Sequence, residues 1–342
     1  MKIKIGERFI GDGESTFIIA EAGSNHNQDI DMAKHLIDVA VDAKVDAVKF
    51  QIFKAEYLYS KFTPEFSDLK GQKVYELIKD IEMPREWIEE LAEYCKEKNI
   101  IFLATPFDFE AVDVLDKYVT AFKIASFEIV DLKLIKYAAD KGKPMIISTG
   151  MANLGEIEDA INVIKSAGNE EIILLHCNSL YPAPVSVVNM KAMETMKTAF
   201  KVPVGFSDHT LGIHIPIAAV AMGACAIERH FTLDRTLPGP DHSFAIEPDE
   251  LRELVRCIRE VEKAKGDGIK EKSFVESEEM YLKARRSIHA KVDISKGTVI
   301  SQDMLIVKRP GYGIKPKFIE MVIGREVKKD IKEDEWISWG MV

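Results

Sequence analysis

The sequence is poor in cysteine. It has four in 342 residues, widely separated and with no Cys-x-x-Cys pair, namely Cys95, Cys177, Cys225 and Cys257. A zinc knuckle requires closely spaced cysteines, and a disulfide framework requires a dense pattern of them. Neither is expected here, and the thiols are predicted to be reduced, as in a cytoplasmic protein.

Long apolar runs are also missing. The longest, from Ile215 to Ile227, has 13 residues and contains a proline, whereas a membrane-spanning helix needs about 18 or more. The N-terminus, MKIKIGERFIGDG, has neither the apolar segment nor the small-residue cleavage site of a secretion signal. We interpret the apolar run as a buried helix leading into a buried strand, and we expect a cytoplasmic protein without membrane partners.

Dense runs of lysine or arginine are absent, and the formal net charge is -10. Nucleic acids and anionic membrane surfaces attract basic patches, so neither is an expected partner. An anionic substrate would have to be held by cations placed locally in its binding site.

What the sequence does have is a regular succession of short apolar, β-branched runs, each followed by a helical pattern. They are FIIA at 17, DAVKF at 46, IIFLA at 100, AFKIA at 121, PMIIS at 144, IILLHC at 172, VPVGF at 202 and CAIERH at 225. Nearly continuous apolar character indicates parallel strands buried on both faces. Eight such units predict an α/β fold, a (β/α)8 TIM barrel, with an open doubly wound sheet as the alternative.

The helical pattern ends in a charged stretch with two glycines, AKGDGIKEKSFVESEEMYLK. Short strand-like pieces follow, SIHAKVDI, GTVI and MLIVKRP, separated by turn residues. We therefore predict a TIM-barrel domain over residues 1–265, a linker over 266–282 and a small β-rich domain over 283–342.

Polar residues recur where the predicted strands end. In a (β/α)8 barrel the carboxyl ends of the strands form the active site. These ends read Glu21; Lys49 and Gln51; Thr105; Lys123, Ser126 and Glu128; Ser148 and Thr149; His176, Asn178 and Ser179; Ser207, Asp208 and His209; Glu228 and His230. A buried lysine needs a partner, so Lys49 and Lys123 predict an anion or a carboxylate, and a ligand with phosphate and carboxylate groups would supply both.

Two histidines form the candidate metal site. His209 and His230 end the seventh and eighth strands, which are neighbours in a barrel, and two neutral imidazoles completed by carboxylate or water suit a divalent first-row metal. Mn2+ is the expected ion, with Co2+, Zn2+ and Mg2+ as alternatives. We leave the other six histidines out of the metal site. His26 and His242 lie in loops, where they contact substrate or only stabilise turns, and His176 is interpreted as a hydrogen-bonding core residue. His35 is expected to be solvated on a helix, and nothing indicates a role for His214 and His289.

Nine ordered motifs extend this picture over essentially the whole chain. They are IAEAGSNH (19–26), AVKFQ (47–51), ATPF (104–107), KIASFE (123–128), ISTGM (147–151), LLHC with SLYPAP (174–184), GFSDHT (205–210), ERHFTLDRTLPGPDH (228–242) and KRPGYGI (308–314). Together they resemble the sialic acid synthase family, which includes N-acetylneuraminate, legionaminic acid and pseudaminic acid synthases and spore-coat polysaccharide relatives.

The resemblance implies a (β/α)8 barrel followed by an antifreeze-like SAF domain, in a domain-swapped homodimer whose small domain covers the partner's active site. Phosphoenolpyruvate would contact Lys49, Thr105, Lys123, Ser126, Ser148, Ser179 and Ser207, and His209 and His230 would bind the metal. The N-acyl amino sugar would contact Glu21, Gln51, Glu128, Tyr181 and Asp241, with Arg309 reaching in from the other subunit. This sequence has Asn178-Ser179 where the family often has Thr-Asn or Thr-Ser, so Asn178 is a second candidate for the contact assigned to Ser179.

The implied reaction joins carbon 3 of phosphoenolpyruvate to the aldehyde carbon of the sugar and releases phosphate, with Glu21 and Glu128 as candidates for proton transfer. The acceptor is expected to be N-acetylmannosamine or a related 6-deoxy diacetamido sugar, giving N-acetylneuraminic or legionaminic acid. Alternatives are pseudaminic acid or spore-coat synthesis, condensation with an aldose phosphate, a Schiff-base aldolase using Lys49 or Lys123, and a glycan-binding or structural protein with a degenerate barrel.

Overall fold

A computed structural model describes residues 1–64, 73–270 and 278–342. The chain divides into two compact units, Met1–Gly266 and Asp267–Val342. The strands, in chain order, are β1 (Lys2–Ile5), β2 (Arg8–Gly11), β3 (Phe17–Gly23), β4 (Ala47–Ile52), β5 (Ile101–Pro106), β6 (Phe122–Ile124), β7 (Met145–Ser148), β8 (Ile172–Cys177), β9 (Val204–Asp208), β10 (Ala226–His230), β11 (Ser287–Ala290) and β12 (Leu305–Lys308).

The α-helices lie between the strands of the first unit and at two places in the second. They are α1 (Ile30–Asp42), α2 (Ala55–Leu58), α3 (Val74–Asp80), α4 (Trp87–Glu97), α5 (Phe109–Leu115), α6 (Leu132–Ala139), α7 (Leu154–Ser166), α8 (Ala192–Phe200), α9 (His214–Ala221), α10 (Pro248–Lys265), α11 (Glu278–Ala284) and α12 (Ile319–Val322).

The first unit is a (β/α)8 barrel, as predicted. Its eight parallel strands are ordered β5-β4-β3-β10-β9-β8-β7-β6. The two end strands, β5 and β6, lie side by side, so the sheet closes into a barrel. All eight predicted apolar runs are strands of this sheet. The apolar run from Ile215 to Ile227 is α9 leading into β10, and no helix of the described residues is long and apolar enough to cross a membrane.

Apolar side chains fill the barrel in two layers. A large cluster packs between the sheet and the surrounding helices, and a smaller one lies inside the barrel. The inner cluster includes Ile3, Ile5 and Ile10 from the antiparallel hairpin of β1 and β2. The sequence analysis missed this hairpin, although its apolar positions Ile3 and Ile5 alternate as they do in a half-buried strand.

The second unit has its own core, which includes Ile288, Ile300, Ile314 and Ile337. Strands β11 and β12 pair antiparallel, within the predicted pieces SIHAKVDI and MLIVKRP. The third predicted piece, GTVI, contributes only an isolated bridge between Val299 and Glu326. Part of the predicted linker, residues 271–277, lies outside the described residues, and its last part belongs to α11.

Candidate active site

Two buried lysines and two buried glutamates form a charged cluster at the carboxyl-terminal end of the barrel. Lys49 Nζ lies 2.8 Å from Glu21 Oε2 and 3.6 Å from Glu228 Oε1. Lys123 Nζ lies 3.6 Å from the same Glu228 oxygen. Strand register places Glu21 of β3 beside Lys49 of β4, so Glu21 and Glu228 are the carboxylates that the two lysines face.

These charges shift one another's pKa values in different directions. Burial alone would lower the pKa of Lys49, but the charges of Glu21 and Glu228 outweigh burial and raise it. For Lys123 burial dominates, and its pKa is lowered despite Glu228. Burial raises the pKa of Glu21, whereas Lys123 and Lys49 lower that of Glu228 against the effect of burial. The surroundings therefore favour the charged forms of Lys49 and Glu228.

Glu228 was placed at a strand end by the sequence but given no role. It stands two residues before His230 on β10, so both side chains point to the same face of the strand. That alternation was the available clue. Its contact with both lysines was not predictable, because it depends on the spatial positions of three separate strands.

Hydroxyl groups surround the two lysines. Lys49 Nζ donates to Thr105 Oγ1 at 3.2 Å, and Lys123 Nζ donates to Ser148 Oγ at 2.7 Å. Ser207 Oγ donates to Glu228 Oε1 at 3.3 Å. The barrel therefore brings together lysines and hydroxyls from several strands, the groups that bind phosphate and carboxylate oxygens.

Ser126, Ser179 and Gly150 meet in the segments that follow β6, β8 and β7. The Gly150 amide donates to Ser126 Oγ at 2.9 Å, and Ser179 Oγ is buried without a partner among the described residues. A Cβ atom at Gly150 would collide with the hydroxyl oxygens of both serines. Position 150 therefore has room only for glycine, and the space beside it is a cradle bordered by the two serine hydroxyls.

Asn178 points elsewhere. Its side-chain Nδ2 donates to the backbone carbonyl of Val187 at 3.0 Å, and its backbone carbonyl oxygen lies 2.8 Å from His209 Nδ1. Through these two hydrogen bonds Asn178 stabilises the loop that contains Val187 and orients the His209 ring. Of the two candidates for the cradle, Ser179 is the one beside Gly150 and Ser126.

If phosphoenolpyruvate binds here, as the motif resemblance implies, replacing Gly150 with alanine is expected to raise its KM about 10- to 100-fold, because the added methyl group displaces both serine hydroxyls. Steady-state kinetics would measure the change. Gly340→Ala is the matched control, since no atom lies within 4 Å of a Cβ built there. An unchanged KM in a correctly folded Gly150→Ala protein would contradict the cradle.

His209 and His230 lie together, with ring centroids 5.3 Å apart. Burial lowers the pKa of His209 to about 4 and that of His230 well below its usual value, so both imidazoles are neutral. The His209 Nδ1 bond to the Asn178 carbonyl fixes Nδ1 as the protonated nitrogen and leaves a lone pair on Nε2. His230 Nδ1 is buried without a hydrogen-bond partner and lies 3.9 Å from Asp241 Oδ2.

These residues fit a divalent cation. Neutral imidazoles with free lone pairs, one oriented by a backbone carbonyl, are typical of first-row metal ligands. Across residues 1–64, 73–270 and 278–342 the structure has no group of three histidine, cysteine or acidic side chains placed for a metal. Water or substrate oxygens would therefore have to complete a coordination shell begun by His209 and His230.

Four of the candidate sugar-binding residues, Gln51, Glu128, Tyr181 and Asp241, line a cavity of about 460 Å3 that His230 also borders. Gln51 Nε2 donates to Glu21 Oε1 at 2.6 Å, and Ser24 Oγ donates to Asp241 Oδ2 at 3.2 Å. Tyr181 packs on His209 with ring centroids 4.2 Å apart. Gly23, at φ 53°, allows the close approach of Asp241, because a Cβ there would lie 2.8 Å from Asp241 Oδ2.

Glu128 lines the same cavity from the segment after β6. Burial raises its pKa to about 7, and its Oε2 atom is buried without a partner among the described residues. Glu21, in contrast, has Oε2 in an ion pair with Lys49 at 2.8 Å, and its Oε1 accepts from Gln51. Of the two glutamates proposed for proton transfer, Glu128 is the one with a free oxygen and a pKa near neutrality.

Three further histidines have structural partners. His176 Nε2 lies 2.7 Å from the carbonyl of Val188, in agreement with its interpretation as a core residue. His242 lies between Thr232 Oγ1 and Asn27 Oδ1. His26 packs edge-on against Trp87.

A buried ion pair that the sequence analysis did not assign supports both candidate metal ligands. Arg229 Nη1 lies 2.8 Å from Asp208 Oδ2, so the residues immediately before His230 and His209 are joined. Arg309 belongs to the second unit, where its Nε donates to the Ala284 carbonyl at 2.7 Å. Its contact with the sugar stays a prediction.

Taken together, the (β/α)8 fold and the polar residues collected at its carboxyl-terminal end define a barrel enzyme with an anion-binding site beside a histidine pair. The chain belongs to the NeuB family, whose model matches residues 36–270, and a SAF domain matches residues 285–342. This agrees with the resemblance drawn from the motifs.

Individual proteins extend the similarity over the whole chain. An N,N'-diacetyllegionaminic acid synthase from Campylobacter jejuni is 46% identical, covering 95% of this chain and 99% of that protein. The structure resembles a spore coat polysaccharide biosynthesis protein from Bacillus subtilis (TM-score 0.70, 39% identity, 100% and 99% of the two chains). It also resembles an N-acetylneuraminic acid synthetase from Leptospira borgpetersenii (TM-score 0.75, 39% identity, 82% and 95%).

Proposed function

We propose that this protein condenses phosphoenolpyruvate with an open-chain N-acyl mannosamine-type sugar, releasing phosphate and forming a nonulosonic acid such as N-acetylneuraminic or legionaminic acid. The observation that carries the proposal is the convergence of Lys49, Lys123 and the surrounding hydroxyls beside His209 and His230. The relatives named as synthases support the same chemistry.

In the proposed reaction, Lys49 and Lys123 hold the anionic groups of phosphoenolpyruvate, and Ser126, Ser179 and the Gly150 turn border its phosphate. His209 and His230 would hold a divalent cation, for which their donor set favours Mn2+, and this ion would supply Lewis-acid polarisation of the sugar aldehyde. The protein's own contribution is to fix both substrates in one orientation within a site shielded from bulk water.

Carbon 3 of phosphoenolpyruvate attacks the aldehyde carbon, and the aldehyde oxygen takes up a proton. Water adds at carbon 2 and loses one proton, giving a tetrahedral carbon that bears a hydroxyl and the phosphate. The bond between carbon 2 and the phosphate oxygen then breaks, the hydroxyl proton passes to the departing phosphate, and carbon 2 becomes a ketone. Glu128 is placed to accept the proton from this water, because its Oε2 is free. Glu21 holds Lys49 and Gln51 in position and thereby orders the two substrate sites.

The decisive test is an incubation of metal-stripped protein with phosphoenolpyruvate, Mn2+ and either N-acetylmannosamine or 2,4-diacetamido-2,4,6-trideoxymannose. Phosphate release and the mass of the sugar product would be measured. Metal-dependent formation of a nonulosonic acid would support the proposal. Absence of turnover with both sugars in a folded, metal-loaded protein would contradict this substrate assignment and favour a pseudaminic acid or spore-coat precursor.

A Schiff-base aldolase is the second candidate, because the lowered pKa of Lys123 favours its neutral, nucleophilic form. Lys49 does not qualify, since its pKa is raised. Borohydride treatment in the presence of substrate would trap a covalent adduct on Lys123 if this mechanism operates. Chelator-sensitive turnover without trapping would exclude it.

We also propose a homodimer in which Arg309 enters the partner's sugar site. Support comes from exposed apolar side chains on successive loops after β6, β7, β8 and β9, namely Phe127, Met151, Leu180 and Leu211. Apolar surface grouped on one face of a protein is typical of an interface.

For this dimer, Arg309→Ala is expected to raise the KM for the sugar about 10-fold or more, because a charge-assisted hydrogen bond is lost, while the KM for phosphoenolpyruvate stays unchanged. Arg325→Ala, at another exposed arginine of the second unit, serves as the control. Sedimentation analysis would establish that both variants keep the native oligomeric state. Equal effects on both substrates would argue against a sugar-specific role.

A further inference from the structure

Two chemically different sets of side chains line the candidate sugar cavity. One set carries polar groups, those of Gln51, Glu128, His230 and Asp241. The other set consists of apolar side chains that follow β4 and β5 or belong to the α3 region, namely Phe53, Leu58, Leu77, Ile78, Ile81 and Phe107. We call these six residues the apolar wall.

The apolar wall is held in place by contacts within the barrel unit. Phe53 and Phe107 pack edge to face, with ring centroids 5.7 Å apart. Glu82, just after Ile81, binds back to the segment that follows β4: its carboxylate lies 3.0 Å from Lys54 Nζ and accepts from the Ala55 amide at 2.5 Å. The wall is thus joined to the strand ends that carry the site.

Leu77, Ile78 and Ile81 are only partly buried, so part of their apolar surface faces the cavity. A hydroxyl group pressed against such a surface loses its hydrogen bonds to water and gains none. A methyl group gains from the same contact, because it leaves water without losing a hydrogen bond.

The wall also lacks positive charge. Among the described residues that line the cavity there is no lysine or arginine, and Lys54, next to Phe53 in the chain, is paired with Glu82. A phosphate group directed at the wall would be desolvated without a counter-charge from the described residues of this chain that line the cavity.

From this arrangement we infer that the apolar wall is the specificity-determining element of the acceptor site, and that it selects a 6-deoxy sugar with two N-acyl groups over hydroxylated or 6-phosphorylated sugars. Such a sugar offers three methyl groups, one at carbon 6 and one on each acetyl group, whereas N-acetylmannosamine offers one. The inference rests on the proposed function, because it takes the acceptor to be an N-acyl amino sugar bound in this cavity.

The test compares three acceptors with the full-length protein, phosphoenolpyruvate and Mn2+: 2,4-diacetamido-2,4,6-trideoxymannose, N-acetylmannosamine and N-acetylmannosamine 6-phosphate. We expect kcat/KM for the first to exceed that for the second by about 10- to 100-fold, as for other discriminations by apolar pockets, and the phosphorylated sugar to be poorest. Calorimetric titration of each sugar in the presence of phosphoenolpyruvate and without metal would measure binding independently of turnover.

Ile78→Asn and Leu77→Asn are expected to reduce the preference for the deoxy sugar about 10-fold, leaving the KM for phosphoenolpyruvate unchanged. Ile269→Asn, at an exposed isoleucine outside the barrel unit, is the matched control. A preference that does not change in either wall variant, or a wild-type protein that prefers a hydroxylated or phosphorylated acceptor, would overturn the inference.

The two proposals fail in distinguishable ways. Turnover with an inverted preference would support the condensation and overturn the selective wall. Tighter binding of the deoxy sugar without turnover would support the wall and overturn the condensation. Neither binding nor turnover of any of the three sugars would overturn both.

Discussion

Glu128→Gln is expected to lower kcat by about 10²- to 10⁴-fold, the usual contribution of a general acid or base. Glutamine preserves the shape of the side chain but cannot accept a proton. In the wild-type protein, a base with a pKa of about 7 is protonated at lower pH, so kcat should fall about tenfold per pH unit below that value. The pH profile of kcat would measure both effects, and the residual activity of Glu128→Gln should lack this limb.

Although it lowers kcat, Glu128→Gln should increase the stability of the folded protein at high pH. The pKa of Glu128 is higher in the folded protein than its ordinary value of 4.5, so the folded state binds the proton more tightly and its stability falls as pH rises from about 4.5 to about 7. Glu128→Gln should therefore raise the free energy of unfolding at pH 8 by on the order of 1 to 3 kcal/mol, with little effect at pH 4.5. Urea unfolding at the two pH values would test this, and a loss of stability at pH 8 would show that the carboxylate is structurally required.

Removal of either imidazole should abolish metal binding. We expect His209→Ala and His230→Ala to lose stoichiometric Mn2+ and to lower kcat/KM by about 10²- to 10³-fold, because several kcal/mol of Lewis-acid stabilisation would be lost. Metal content after dialysis, measured by mass spectrometry, reports binding without reference to activity. Chelation of the wild-type protein should give the same loss of activity, reversed by added Mn2+.

His35→Ala is the control for these variants, since His35 is exposed on α1 in the barrel unit. It should retain wild-type metal content. Retention of bound Mn2+ by both His209→Ala and His230→Ala would contradict the two-histidine site, whereas loss in only one of them would identify the residue that dominates binding.

The strands were predictable because their physical cause is local. A strand covered on both faces must be apolar along its length, and FIIA, IIFLA and the IILL of IILLHC satisfy this condition over four or five consecutive residues. The hairpin of β1 and β2 was missed because its short alternation was not followed. The single bridge at Val299 was overestimated as a strand, since an apolar pair such as Val299 and Ile300 fits a bridge as well as a longer ladder.

The candidate site was only partly predictable for the same reason. Strand position identified Lys49, Lys123, His209 and His230, because barrel geometry brings strand ends together whatever the loops do. It could not show that Glu228 faces both lysines. Nor could it distinguish Ser179 from Asn178, which depends on where each side chain points.

The sequence by itself determined the barrel and the residue types at its carboxyl-terminal end, since both follow from the period of the apolar pattern and from the direction of parallel strands. Only the tertiary structure decided how those residues are arranged: which imidazole nitrogen keeps its lone pair, which glutamate oxygen at the cavity has no ion-pair partner, and which apolar side chains line the candidate sugar cavity. Those properties depend on burial and on distances between strands far apart in the chain, and no local pattern encodes them.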